Sequence, residues 1–157
     1  MASALQVVFL LCGISGLLAV ASADDKKECG CPKEFIRFQS YCYKYIPLMK
    51  DFTQAEEICQ QLHGNLVSIE GPVENAVVLQ LIRDNNDGAV IDTWIGAHDV
   101  LEAGTYLWTD GAIFDFSGFD GALPNSGLCV EIDNDMFWND DDCTDFNSFI
   151  CERDVCI

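Results

Sequence analysis

Nine cysteines in a chain of 157 residues set the strongest limit on what this sequence can become. One of them, Cys12, falls in an unusual N-terminal stretch. Residues 1–23 carry no charged side chain, and the apolar run from Val7 to Val20 ends in the small residues Ala21, Ser22 and Ala23. This pattern reads as a cleaved secretory signal peptide, although the usual basic start is missing. The run is shorter than the roughly 20 apolar residues needed to span a bilayer, and Gly13 and Gly16 interrupt it. Removing the first 23 of 157 residues leaves 134, with eight cysteines. An even number of cysteines in a secreted chain implies a disulfide framework, and sequence alone does not choose among the pairings. Zinc binding is the rival, but Cys29 and Cys31 are too close for a knuckle and the remaining cysteines are scattered.

Half of the residues are hydrophobic, which is too many for a disordered chain despite a formal charge of −18. The length suits one domain. With 26 acidic residues against 8 basic ones, the surface repels phosphate backbones and anionic membranes, which excludes nucleic-acid binding.

The charged stretch Asp24 to Glu28 reads as a leader to the domain. Phe35 to Tyr45 is aromatic and roughly alternating, which predicts a strand pair. Thr53 and Glu56 form a capping-box pattern, and Ala55, Ile58, Cys59 and Leu62 then share one helical face before Gly64. Asn65 to Ile69 predicts a short strand. Gly71-Pro72 starts a second helix, with Val73, Val77, Val78, Leu81 and Ile82 as its apolar stripe and Asn85 to Gly88 as its end. Short apolar runs follow at Thr93–Ala97, Tyr106–Thr109, Cys129–Ile132, Met136–Trp138 and Phe149–Cys151. Two helices followed by short strands make an α+β layout.

Seven segments then carry a family resemblance. They are CPKEFIRFQSYCY (31–43), AEEICQQLHGNLVSI (55–69), WIGAHD (94–99), LWTDG (107–111), CVEI (129–132), FWNDDDC (137–143) and FICE (149–152). In this order they resemble the C-type lectin-like domain, with a core at about residues 31–153 inside a single domain at 24–157. The resemblance implies two helices on short antiparallel sheets, a long irregular loop region, and the pairings Cys31–Cys42, Cys59–Cys151 and Cys129–Cys143. Cys29 and Cys156 remain, for a staple between the termini or an interchain bridge that would give a disulfide-linked dimer instead of a monomer.

Sugar-binding members hold calcium through a Glu-Pro-Asn or Gln-Pro-Asp triplet, a further loop Glu, and a Trp-Asn-Asp triplet. Those side chains suit the task because calcium takes about six to eight oxygens. Here Trp138-Asn139-Asp140 is intact, but the loop triplet reads Leu123-Pro124-Asn125, and only three residues separate Asn125 from Cys129. A leucine has no donor atom, and the further Glu is absent from so short a loop. The resemblance therefore implies Asn125, Asn139 and Asp140 as ligand-binding residues, with Glu131 the nearest candidate for the missing Glu, and Asn125, Asn139 and Asp140, joined by Asp141 of the neighbouring acidic run, as candidate calcium ligands. Any calcium affinity is expected to be weak or lost.

Seven carboxylates between Glu131 and Asp145 admit two readings. They form a solvated, self-repelling face, or Asp141 or Asp142, with Asp120, rebuilds an ion site. They are not an EF-hand, since the fifth position from Asp133 is Phe137 and the twelfth is Thr144. His63 and His98 have no placed nucleophile beside them, so no catalytic residue is predicted. Trp94, Trp108 and Trp138 read as core. The expected function is a secreted, non-enzymatic carbohydrate-binding module acting on an extracellular glycan. An ice-binding protein similar to type II antifreeze proteins and a protein-binding domain that has lost sugar binding are the alternatives. Five threonines without a regular array give the ice-binding alternative no positive sign.

Overall fold

Alternation along the strands decides the architecture. In the computed structural model, which describes residues 30–121 and 127–156, eight strands form one connected sheet. They are β1 (Ile36–Phe38), β2 (Tyr41–Lys50), β3 (Asn65–Leu66), β4 (Thr93–His98), β5 (Leu107–Trp108), β6 (Cys129–Ile132), β7 (Trp138–Asp141) and β8 (Asn147–Asp154). The order is β1-β2-β8-β4-β6-β7, with β3 beside β8 and β5 beside β4. All pairings are antiparallel except β4 with β8, where Thr93 and Trp94 run parallel to Ser148 and Phe149. The chain between them is long enough for the crossover that a parallel pair requires.

Successive residues therefore serve two cores. Trp94, Cys129, Phe149 and Cys151 pack with Phe52, Ala55 and Cys59 of α1 (Phe52–Gln61). Ile95, Ala97, Val130, Ile132 and Ile150 pack on the opposite face with Val78, Leu81 and Ile82 of α2 (Pro72–Asn85). Of the α2 stripe, Val73 stays 63% exposed, while its neighbour Glu74 accepts a hydrogen bond from Tyr43 of β2.

The first helix starts two residues earlier than its capping-box pattern predicts. Asp51 is the N-cap and accepts from Gln54 N at 2.8 Å, while Glu56 turns to β3, accepting from Asn65 Nδ2 and Leu66 N. The helix ends before Gly64, as expected, and His63 makes the left-handed turn there, at φ 63°. Gly64 is needed for space, because a Cβ there would lie 1.9 Å from the Glu152 carbonyl oxygen. The predicted strand at Met136–Trp138 begins only at Trp138, since Met136 has φ 77° in the preceding turn.

The three pairings Cys31–Cys42, Cys59–Cys151 and Cys129–Cys143 are present as implied. Cys156 is disulfide-bonded, and its expected partner Cys29 lies outside the described residues, as do the signal stretch and Asp24 to Glu28. No helix among the described residues is long and apolar enough to cross a membrane.

Candidate functional site

Trp138 to Asp141 occupy β7, the edge strand of the sheet, and alternate between its faces. Trp138 is buried at 3% exposure, donates from Nε1 to Asn75 Oδ1 at 2.9 Å, and meets Trp108, Phe116 and Phe119 edge-on at 5.6–5.8 Å. It is core, as are Trp94 and Trp108. Gly118 lets the loop close over it, since a Cβ there would meet the indole at 2.5 Å.

Asp140 shares the Trp138 face and is 2% exposed, with Tyr106 Oη 3.4 Å from its Oδ2. Asn139 and Asp141 are half-exposed. The ladder between β6 and β7 sets Glu131 opposite Asn139 and Cys129 opposite Asp141, and directly opposed residues share a face. Asn139 and Asp140, adjacent in sequence, thus leave the strand on opposite sides.

Glu131 is 4% exposed and accepts a hydrogen bond from Asn147 Nδ2 at the start of β8. Burial, reinforced by Asp92, Asp141, Asp133 and Asp145, pushes its carboxyl up to about 8. Asn147 gave no sign of this partnership in the sequence, because it lies 16 residues further on.

The seven carboxylates do not form one cluster. Asp133 and Asp135 lie in the turn joining β6 to β7, where Asp133 Oδ1 accepts from Asp135 N. Asp141, Asp142 and Asp145 lie at the far end of the hairpin, about 10 Å away for three residues of strand rise. Asp120, with Asp133, Asp135 and Asn139, lines a cleft of about 150 Å3 at the turn end, and so does not join Asp141 and Asp142. Hydrogen bonds from Thr144 N and Oγ1 hold Asp142 below its ordinary range.

Leu123, Pro124 and Asn125 lie outside the described residues. The chain resumes at Gly127, which sits directly on β7: a Cβ there would come within 2.3 Å of Asp141 N. Leu128 N then donates to Asp141 O at 3.1 Å. Nothing in the sequence singled out Gly127, whose role is close approach of backbone to backbone.

Among the described residues the donors do not converge as a calcium ion needs: Asn139 and Asp140 leave β7 on opposite sides and Glu131 is hydrogen-bonded to Asn147, while Asn125 lies outside the described residues. Among the described residues no three acidic, histidine or cysteine side chains gather in a metal-holding group.

A family profile for the lectin C-type domain matches residues 49–153. The chain belongs to that family. It is 32% identical over 128 residues to the low affinity immunoglobulin epsilon Fc receptor of Mus musculus, covering 78% of this chain but only 37% of the receptor. It is 28% identical over 153 residues to the galactose-specific lectin nattectin of Thalassophryne nattereri, covering 94% of each. Among solved structures, a herring type II antifreeze protein superposes with a TM-score of 0.72 at 28% identity, over 79% of this chain and 98% of the other.

Proposed function

We propose that the chain is a secreted, non-catalytic carbohydrate-binding module whose sugar site lies along β7 and draws little or nothing from calcium. The observation that carries this reading is the seating of Gly127 on Asp140 and Asp141. Gly127, two residues after Asn125, thus rests on the Trp-Asn-Asp strand, where Asn139 and Asp141 are half-exposed. Amide and carboxylate groups at an edge strand suit sugar hydroxyls, which donate and accept in the same ring. Secretion rests on the apolar N-terminal stretch and on the disulfide framework.

The test is retention on immobilised mannose, galactose and N-acetylglucosamine, with calcium and then with chelator. Elution by free sugar in both conditions supports the reading. Absence of retention on every sugar overturns it. The herring structure favours ice binding as the second reading. Three threonines, Thr53, Thr105 and Thr144, are exposed, on separate elements, so ice shaping by this chain would have to rest on other side chains.

A further inference from the structure

On the α1 side of the domain an apolar groove of about 450 Å3 opens between the start of α1 and the base of the long loop. Phe52, Val100, Leu101 and Leu128 line it, over the Cys129–Cys143 bridge. Val100, Leu101 and Leu128 are 53%, 79% and 45% exposed, so three aliphatic side chains stand in water around one hollow.

Two further observations say what would fill it. His98 and Thr109 also line the groove, and His98 Nδ1 and Thr109 Oγ1 are buried without a hydrogen-bond partner. Such orphaned atoms are rare and costly in a folded protein. The field around them is negative. No lysine or arginine lines the groove, and the carboxylates of Asp99 and Glu56 both act on the His98 ring. Asp51, Glu102 and Asp142 are the sequence neighbours of Phe52, Leu101 and Cys143. A second copy of this chain would bring the same excess of acid to the contact, and an anionic surface would be repelled.

We infer that the groove docks a lysine- or arginine-bearing segment of another protein, with one aliphatic side chain anchored between Leu101 and Leu128. The anchor supplies burial, and the flanking cations answer the acidic residues that neighbour the lining in sequence and act on His98. This inference is independent of the sugar site on β7.

The experiment uses the oxidised protein and two short probe peptides, one of alternating leucine and lysine and one in which serine replaces every leucine. Binding is followed by fluorescence anisotropy and by amide chemical shifts. The leucine peptide is expected to perturb Phe52, His98, Leu101 and Leu128, and to bind about tenfold or more tightly than the serine peptide. Leu101→Asp is the deciding variant, because it removes the anchor contact while adding negative charge at a position too exposed to affect folding. It is expected to weaken the leucine peptide about tenfold. Equal or tighter binding to Leu101→Asp, equal binding of the serine peptide, or shifts spread over β7 and its carboxylates would overturn the inference and leave only non-specific attraction. Self-association of the unliganded protein that Leu101→Asp abolishes would overturn it in favour of a dimer.

Discussion

Glu131 lies directly opposite Asn139 in the ladder, yet its carboxyl is hydrogen-bonded to Asn147, on the strand beyond β4. A carboxyl beside the candidate sugar site is thus part of the interior, and its protonation belongs to folding. An unfolded glutamate loses its proton near 4.5, whereas this one holds it to about 8. Between those values the unfolded chain has shed a proton that the folded chain retains, so stability falls as pH rises. Thermal unfolding between pH 5 and 8 is expected to show that decline. Glu131→Gln keeps an acceptor for Asn147 and should flatten it, raising stability at pH 8 by about 1–3 kcal/mol. A slope of the same sign will persist, because burial also raises Glu152 well above the usual carboxyl range. An unchanged profile in the variant would show that Glu131 titrates normally.

Asn139 and Asp140 should separate function from folding. Asn139 is half-exposed and Asp140 is 2% exposed. Asn139→Ala is expected to reduce retention on a sugar column with the melting temperature within about a degree of the parent. Asp140→Ala should lower stability by about 1–3 kcal/mol through the loss of a buried, hydrogen-bonded group. The comparison needs only a column and a melting curve.

Millimolar calcium should leave the melting temperature unchanged to within about a degree, since stabilisation follows RT ln(1 + [L]/Kd) and the described donors diverge. Leu123→Glu restores one donor atom. An upward shift of several degrees in that variant alone would show that position 123 was the limiting ligand.

Gly64→Ala should cost about 2–4 kcal/mol, read as a lower urea midpoint, because the new methyl meets backbone at Glu152 and nothing flexible can yield. Gly71→Ala is the control. A Cβ there meets nothing within 4 Å, and its φ of −177° suits any residue.

The cysteine order, the helices and most of the strands were legible in the sequence because each rests on local periodicity or on the run of family segments. The misplacements share a cause. Thr53 and Glu56 matched a local cap, but Glu56 is drawn off by Asn65 and Leu66 across a loop. The helix does stop before Gly64, but the glycine itself is required by a contact with Glu152 at the other end of the chain. The acidic run read as one patch in sequence, and a hairpin turn pulled it to two ends. At the site, the loss of a ligand at Leu123 was plain from residue chemistry alone. That Glu131 would turn to Asn147, and that Gly127 would rest on Asp141, depends on strand pairing that no spacing reveals.

The bridge between Cys59 and Cys151 spans 92 residues, and the stretch from Asp99 to Gly121 lies inside that span. A protease that cuts there produces two fragments, one carrying both helices and β4, the other carrying β6 to β8. Cys59 sits in the first and Cys151 in the second, so the pieces stay covalently joined and the sheet keeps its strands. Such a nicked molecule would migrate as intact until its disulfides were reduced.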